Sequence, residues 1–333
     1  MKILINCPLS LSKKNKFNNK SGGIESLNMG LAQLLHKKKI NVTLSSNVPK
    51  KSVINGIKII PIGEIKQNSL LYDFDVIISS NDARIFDYYS NSKKILWLHN
   101  PLQIEKSIRK KQFFPIIKNN LTAVFVSKYL NKTTSKFYFF KKRLVIPNFL
   151  TSVFTQKNLF TKREPIFVWS VQRNKGLTET IDMWINKINP FFHDAKFYIL
   201  GVERLPIKYG YGFLKSKNIT HIGRVSKQRL KNIYNKSIGM VCLGYDETFC
   251  LNALEANSCG LPVITFGKTA LNDLIKNNYN GFKVNNFENL SNKIRYLLEL
   301  NKNKKKKLIN NSITHSKKFS LNIIIYKWLK LLK

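Results

Sequence analysis

One segment of the chain is more informative than any other: Asp246-Glu247-Thr248-Phe249-Cys250-Leu251-Asn252-Ala253-Leu254-Glu255-Ala256-Asn257-Ser258-Cys259-Gly260-Leu261-Pro262-Val263-Ile264. Glu247 and Glu255 stand in it with seven residues between them. The pattern predicts a helix over 248–258, followed by a Gly-x-Pro-Val turn and an apolar strand. Such a helix would separate the two carboxylates by at most about 12 Å along its axis, and the N–H groups at its start would face an anion. The segment therefore predicts a site for an elongated ligand with polar groups at both ends and negative charge between them.

Five shorter motifs accompany this segment in a fixed order. They are Gly22-Gly23-Ile24-Glu25, Trp97-Leu98-His99-Asn100, Val126-Ser127-Lys128, Ile146-Pro147-Asn148 and Lys175-Gly176. Together with the Glu-x7-Glu segment, they resemble the retaining glycosyltransferases of family 4, which have the GT-B fold. The Glu-x7-Glu segment is specific, whereas the other motifs carry weight only through their order. The resemblance implies two Rossmann-like, doubly wound domains that face a central cleft, with a C-terminal helix that crosses back to the first domain.

The length and the alternation of strand and helix patterns agree with two α/β domains. The 333 residues suffice for two cores, and both halves alternate short apolar strands with amphipathic helices. We predict an acceptor-binding domain over 1–148, a nucleotide-sugar-binding domain over 149–315 and a terminal helix within 316–333. The boundary near Pro147-Asn148-Phe149 is where a ligand-binding cleft is expected.

Lys175 is the candidate cation for a departing diphosphate. It follows the predicted strand 165–171 and precedes a helix that Gly176 opens, so it is expected at the edge of the sheet where ligands bind. Arg173 would add a fork of donors to the same phosphates. The family usually has an arginine five residues before the lysine, and Ser170 stands there in this chain.

The two glutamates receive their roles from the resemblance. Glu255 would accept hydrogen bonds from the ribose hydroxyls, and Glu247 would contact the transferred sugar. The donor-binding run would also include Thr248 and the backbone N–H groups of Phe249, Cys250 and Leu251. The family normally has glycine where Cys250 stands, so the thiol is expected to narrow the donor pocket. Solvated glutamates on an amphipathic helix are the alternative.

Two features of the first half are expected to contact ligands. Gly22 and Gly23 begin a helix after a polar loop, which suits a phosphate or an acceptor hydroxyl, and we assign them to donor binding. His99 ends the predicted strand 95–98, at the sheet edge where α/β proteins bind ligands, and is expected to contact a sugar hydroxyl. A structural histidine is the alternative.

No metal site and no cofactor are predicted. The five histidines form no ligand pair, and the four cysteines (7, 242, 250 and 259) lack Cys-x-x-Cys spacing, so we interpret them as free thiols in a reducing compartment. Asp73-Phe74-Asp75 resembles the metal-binding pair of GT-A enzymes, but it precedes a strand rather than following one, so we interpret it as strand entry.

The net charge of +39 leaves two interpretations open, attraction to an anionic surface or a compositional bias at exposed positions. Basic residues alternate with Ile and Phe over 104–118 and again over 137–143, which is typical of a segment that lies on anionic lipid, although a core helix with solvated lysines fits as well. No apolar run is long enough for a signal peptide or a membrane span. We therefore expect a cytoplasmic protein, peripheral on the inner face of a membrane.

The sequence thus predicts a metal-independent, retaining hexosyltransferase that uses a UDP- or GDP-linked sugar. The acceptor would be a glycan or a lipid-linked glycan in cell-surface polysaccharide or lipopolysaccharide synthesis. Two alternatives stay open: a nucleotide-sugar epimerase of the same fold, and a non-catalytic basic protein that binds nucleic acid. The nucleic-acid alternative explains the charge but not the Glu-x7-Glu segment, so no nucleic-acid partner is expected.

Overall fold

The computed structural model describes residues 1–9, 22–67, 73–89, 91–155, 162–171, 175–205 and 208–333. The chain divides into two compact units. The first unit comprises Met1–Thr151 and Leu321–Lys333, and the second comprises Ser152–Ser320. Among the described residues, no helix has both the length and the apolar character needed to cross a bilayer.

The first unit is built on an eight-stranded sheet with the order β3-β4-β2-β1-β5-β6-β7-β8. All neighbours are parallel except β3 and β4, which form an antiparallel pair at one edge. Its elements are β1 Lys2–Cys7, α1 Gly23–Lys37, β2 Asn41–Ser46, β3 Ser52–Ile54, β4 Ile57–Pro61, α2 Ile62–Gln67, β5 Val76–Ser80, β6 Lys93–Leu98, α3 Ile104–Arg109, α4 Phe113–Lys118, β7 Thr122–Phe125, α5 Lys128–Thr133, β8 Lys142–Val145 and α14 Leu321–Leu332, with short 3₁₀ turns at Arg84–Tyr88 and Lys136–Tyr138.

The core of this unit follows from the apolar strand sequences. A parallel sheet is covered on both faces, so its central strands are apolar nearly throughout, and β1 is buried from Ile3 to Cys7. The terminal helix α14 buries Ile324, Ile325, Trp328 and Leu332. The ring of Trp328 meets that of Trp97 on β6 edge to face, with centroids 4.9 Å apart. This contact between distant parts of the sequence explains why 321–333 belongs to the first unit.

The second unit is built on a six-stranded parallel sheet with the order β11-β10-β9-β12-β13-β14. Its elements are α6 Ser152–Thr155, β9 Ile166–Trp169, α7 Leu177–Met183, which continues as a π-helical turn over Trp184–Ile188, β10 Lys196–Leu200, α8 Tyr211–Ser216, β11 Ile219–Gly223, α9 Lys227–Lys236, β12 Gly239–Val241, α10 Leu251–Ser258, β13 Val263–Thr265, α11 Leu271–Leu274, β14 Gly281–Lys283, α12 Phe287–Glu299 and α13 Lys302–Lys317.

A glycine and a buried arginine fix the end of α10. Gly260 has a φ of +71°, which glycine adopts at the end of a helix without steric strain. A Cβ atom there would lie 2.6 Å from Ile309 on α13, so glycine also permits close helix packing. Arg163 donates to the backbone oxygens of Tyr234, Ser237 and Cys259 and thereby ties α9 to α10. Its burial lowers the pKa of this guanidinium to about 10.

The structure differs from the predicted elements at several places. Helix α10 begins at Leu251 rather than at Thr248, because Cys250 has left-handed backbone and ends the loop. The terminal helix expected within 316–333 is α14, which begins at Leu321, whereas the preceding helix α13, Lys302–Lys317, was not predicted. The short strands β3 and β14 were missed, since three residues carry too little pattern to recognise.

Candidate active site

Two predicted site residues of the second unit, Lys175 and Glu247, and one lysine that was not predicted, Lys227, lie after the carboxyl ends of its parallel strands. Lys175 follows β9, Lys227 follows β11, and Glu247 follows β12. Because these strands are parallel, their carboxyl ends share one edge of the sheet, where open α/β sheets bind ligands. Arg173, the predicted partner of Lys175 in phosphate binding, lies outside the described residues.

Lys175 and Glu247 form an ion pair at this edge. The Nζ atom of Lys175 lies 2.6 Å from Oε1 of Glu247, although 72 residues separate them. Each side chain is 16% exposed, so the pair is largely shielded yet still open to a ligand. The structure therefore brings together the residues predicted to contact the leaving group and the transferred sugar.

Gly176 makes the approach of Lys175 to Glu247 possible. Its φ of +89° lies in the left-handed region, which favours glycine. A Cβ atom there would stand 2.5 Å from Cδ1 of Leu243 and 3.0 Å from Cε2 of Tyr245, both in the segment that leads to Glu247. Glycine thus lets the loop before α7 pack directly on that segment.

Glu255 is buried on α10 and is held by a lysine that sequence analysis did not assign to the site. The Nζ atom of Lys227 lies 2.6 Å from Oε1 and 2.8 Å from Oε2 of Glu255. Glu255 is 2% exposed, and its burial raises the pKa of its carboxyl group, while the charge of Lys227 opposes that rise. Lys227 is the first residue of α9, directly after the N-cap Ser226. That position after a strand was the one signal that could have revealed it.

Cys250 occupies the N-cap of α10 with a φ of +67°. Its Sγ atom lies 3.6 Å from that of Cys242 on the neighbouring β-segment. The hydrogen bond with Cys242, together with burial, raises the pKa of the Cys250 thiol well above its ordinary value, so the group stays neutral. All four cysteines are free and buried.

The other members of the predicted donor-binding run flank Cys250. Thr248 lies in the loop before it, Phe249 is buried with its ring 6.0 Å from that of Phe319, and Leu251 opens α10. The first N–H groups of a helix have no acceptor within the helix. The run therefore ends in backbone donors of the kind that bind phosphate oxygens.

Ser170, which stands where the family usually has an arginine, has a structural role. Its hydroxyl lies 2.6 Å from the hydroxyl of Tyr234 in the core, and its backbone oxygen accepts from the side chain of Asn252 on α10. Burial raises the pKa of Tyr234 well above its usual range, so this partner is a neutral phenol. Ser170 thus ties the end of β9 to α9 and α10.

In the first unit, Gly22 is the N-cap of α1 and Gly23 its first residue. A Cβ atom at Gly22 would overlap the carboxylate of Glu25, which folds back over the helix start. Burial, and to a smaller extent the charge of this carboxylate, raises the pKa of Cys7 to about 12. A carboxylate at this position repels phosphate and accepts hydrogen bonds from hydroxyls. The donor-binding assignment of Gly22 and Gly23 stays a prediction, and the carboxylate beside them also offers acceptors to a sugar hydroxyl.

His99 follows β6 and is 4% exposed. Its ring lies 4.5 Å from that of Trp97, and its backbone N–H donates to Oδ1 of Asn81 at 2.8 Å. Burial lowers the pKa of His99 to about 3, so the imidazole is neutral at physiological pH. A neutral imidazole can exchange hydrogen bonds with a hydroxyl but cannot act as a general acid.

No metal-binding group occurs in the described part of the chain: no three His, Cys, Asp or Glu side chains come together. Asp75 accepts from the backbone N–H of Lys2 at 2.6 Å and precedes β5. It thus joins the starts of β1 and β5, at the sheet edge opposite to the one that carries His99.

The comparisons with known proteins agree with this architecture. Residues 154–315 match the family model described as glycosyl transferases group 1. The chain is 27% identical over 237 residues to the uncharacterized glycosyltransferase MJ1178 of Methanocaldococcus jannaschii. This alignment covers 68% of the chain and 64% of the relative, so the chain spans less than two thirds of that relative's length.

Solved structures share the fold over the whole chain. A glycosyltransferase from Rickettsia africae ESF-5 superposes with a TM-score of 0.75 at 19% identity, covering 100% of this chain and 97% of that one. Alr3699/HepE of Anabaena, solved in complex with UDP and glucose, superposes with a TM-score of 0.71 at 14% identity, covering 100% and 99%. The fold class is therefore GT-B, with two Rossmann-like units. Residues 154–315 thus resemble the group 1 glycosyl transferases, and the relative from Methanocaldococcus jannaschii is similar to this chain over a longer stretch.

Proposed function

We propose that this protein is a retaining glycosyltransferase of family 4. It would transfer a hexose from a UDP- or GDP-linked donor to a glycan or lipid-linked acceptor in cell-surface polysaccharide or lipopolysaccharide synthesis. The observation that carries the proposal is the Lys175–Glu247 pair, which lies at the strand edge of the unit whose sequence matches the glycosyltransferase family. The Anabaena structure solved with UDP and glucose supports a nucleotide sugar as the donor.

The donor would bind along the carboxyl edge of the second sheet. Glu255 would accept hydrogen bonds from the ribose hydroxyls, and Lys227 would keep this buried carboxylate ionised for that task. The backbone N–H groups at the start of α10 and the ammonium of Lys175 would meet the diphosphate. Lys175 would then bind the donor diphosphate as well as Glu247, and Glu247 would contact the transferred sugar.

The reaction would need no separate catalytic base. The bond between the anomeric carbon and the phosphate oxygen breaks, and the acceptor oxygen forms its new bond on the same face of the sugar. The proton of the acceptor hydroxyl passes to the departing phosphate oxygen. Lys175 would stabilise the negative charge that develops on the diphosphate, in place of a metal ion. Full activity in the presence of EDTA is expected, whereas loss with EDTA that manganese restores would contradict this chemistry.

The first unit would bind the acceptor. The carboxylate of Glu25 beside Gly22 offers acceptors to sugar hydroxyls, and the neutral ring of His99 offers either a donor or an acceptor. A lipid-linked acceptor would require work at the inner face of a membrane, and the basic and aromatic segments of this unit fit that location.

A binding screen followed by product analysis tests the proposal. Thermal shifts with UDP, GDP, ADP and their sugars should show stabilisation by one nucleotide family, since a ligand that binds the native state raises the melting temperature. An epimerase would convert the nucleotide sugar without an acceptor, whereas a transferase releases nucleoside diphosphate only as the acceptor is glycosylated. Binding to RNA or DNA that salt weakens, with no affinity for any nucleotide sugar, would favour the non-catalytic alternative.

A further inference from the structure

Two segments of the first unit form one exposed aromatic surface. The ring of Phe113 on α4 lies 5.6 Å from that of Phe114 and 6.2 Å from that of Phe137, which follows 24 positions later in the chain. The ring of Phe137 in turn lies 5.6 Å from that of Phe139. We call Phe113, Phe114, Phe137 and Phe139 the aromatic patch. Phe114 is 74% exposed, Phe137 51% and Phe139 75%.

The aromatic patch is held by contacts beneath it. The hydroxyl of Tyr138, between two patch residues, donates to Oγ of Ser107 on α3 at 3.0 Å. Arg143 donates to the backbone oxygens of Asn131, Thr134 and Ser135 and stacks over the ring of Phe125. Arg143 is therefore committed to the fold rather than to a partner. Hydrogen-bonded residues beneath the exposed rings hold them in place, so the rings stay exposed to water in the folded protein.

The surroundings of the patch are strongly basic. Residues 104–143 contain eleven Lys and Arg but one acidic residue, Glu105. Lys106, Arg109, Lys110 and Lys111 are exposed on α3 and in the turn that follows it, and Lys136 directly precedes Phe137. Three isoleucines of α3 and α4 are also exposed, Ile104 at 38%, Ile108 at 55% and Ile117 at 41%.

We propose that the aromatic patch docks this protein onto a membrane surface that carries anionic lipid. Apolar rings enter the boundary between headgroups and acyl chains, while the surrounding cations stay at headgroup level. Nucleic acid also attracts cations and stacks on aromatic rings. The exposed isoleucines decide between the two partners, because aliphatic side chains partition into lipid but do not stack on bases. Docking of the first unit onto a membrane does not depend on the donor chemistry proposed for the second unit.

Sedimentation of the full chain with lipid vesicles tests the proposal. The protein should bind vesicles of mixed phosphatidylcholine and phosphatidylglycerol at low salt, should ignore pure phosphatidylcholine, and should dissociate as salt rises. Replacing Lys106, Arg109, Lys110 and Lys111 with Gln should weaken the partition by about 100-fold or more, since each cation near an anionic surface contributes about a fivefold factor and four together contribute about 600-fold. Phe114→Ser with Phe139→Ser should weaken it by a similar factor, through lost apolar burial.

Matched controls separate the patch from net charge. Lys302, Lys304, Lys306 and Lys307 are also exposed, on α13, and their replacement by Gln removes the same charge far from the patch in sequence. Phe191 is 65% exposed, and Phe191→Ser is the control for the loss of an exposed aromatic ring. Both control variants should keep vesicle binding within about twofold of the unaltered protein. An equal loss in the α13 control, or no binding to anionic vesicles at low salt, would overturn the proposal, as would patch-dependent retention by RNA without vesicle binding.

A second measurement covers the case in which the patch variants misfold. All four native tryptophans are buried, so a tryptophan introduced by Phe114→Trp would be the one with an exposed indole. Its emission should shift to the blue with anionic vesicles and stay unchanged with neutral ones, and no shift with anionic vesicles would contradict docking. Thermal shifts with UDP and GDP in the same variants should be preserved. If neither the unaltered protein nor any variant binds UDP or GDP, the result counts against the proposed function and not against the docking surface.

Discussion

Lys227 holds Glu255 through both of its carboxylate oxygens, at 2.6 and 2.8 Å from a single Nζ atom. Glu255 is almost fully buried, so without this partner the carboxylate would favour its protonated form. A protonated carboxyl accepts fewer hydrogen bonds from two neighbouring hydroxyls than a carboxylate does. The lysine therefore has a positioning role for the residue proposed to bind the ribose.

Replacement of Glu255 by Ala should weaken nucleotide binding by about 1 to 3 kcal/mol, through the lost hydrogen bonds to the ribose hydroxyls. Titration calorimetry with the nucleotide found in the thermal-shift screen measures this change. Glu288→Ala is a suitable control, since Glu288 pairs with Lys187 on the exposed surface. Unaltered nucleotide affinity in a folded Glu255→Ala protein would contradict the ribose role.

The raised pKa of Glu255 predicts how the stability of the protein changes with pH. A carboxyl whose folded pKa lies above the unfolded value of 4.5 contributes stability below that pH, and the contribution is lost as pH rises through the folded pKa. Glu255→Gln should therefore gain in melting temperature relative to the unaltered protein as pH rises from 4.5. Lys227→Met removes the opposing charge and should extend this window upward. Parallel melting curves for the protein and both variants over this pH range would contradict the assignment.

Replacement of Lys175 by Ala should lower the turnover rate by about 100-fold or more, as removal of other groups that stabilise transition-state charge does. Steady-state kinetics at saturating donor separate this effect from donor binding. Lys208→Ala is the matched control, because Lys208 pairs with Asp182 at the exposed surface of the same unit. A loss smaller than about threefold in Lys175→Ala would rule out this role for the ammonium.

The fold was predictable because both halves repeat a simple pattern. Apolar strands such as β1 and β10 and the amphipathic helix α1 carry their period in the sequence, and the Glu-x7-Glu segment resembles a glycosyltransferase signature that implies the same fold. The strand β14 is too short to show a period, and the lysine-rich helix α13 lacks a distinctive apolar face. Their placement depends on tertiary contacts, such as the packing of α13 on Gly260.

The site was predictable only where residue type and position coincide. Lys175 was expected at the sheet edge and Glu247 against the transferred sugar, and their 2.6 Å contact follows from parallel strands and from Gly176. Lys227 was missed because the chain contains many lysines, and one at the start of a helix does not stand out among them. Ser170 could not be assigned from sequence, since its partner Tyr234 lies 64 positions away.

The left-handed backbone of Cys250 predicts an unusual order of stability among variants. A residue with a Cβ atom at a φ of +67° is strained by about 1 to 2 kcal/mol, and glycine relieves that strain. Both Cys250→Ala and Cys250→Gly lose the buried thiol beside Cys242, so their difference reports the backbone. Cys250→Gly should be the more stable variant by about 1 kcal/mol in urea denaturation. Alanine equal to or above glycine would show that this backbone is not strained.

The burial of His99 predicts a pH effect of the opposite sign to that of Glu255. An imidazole whose folded pKa is lowered from 6.5 to about 3 contributes stability above pH 6.5, and the contribution is lost as pH falls from 6.5 toward 3. His99→Gln cannot take up this proton, so its melting temperature should fall less steeply with acid than that of the unaltered protein, whatever the offset at neutral pH. His315→Gln is the control in the second unit, since burial also lowers the pKa of His315. Calorimetry between pH 7 and pH 4 measures both slopes, and an unchanged slope in His99→Gln would show that the imidazole is hydrated and free to ionise.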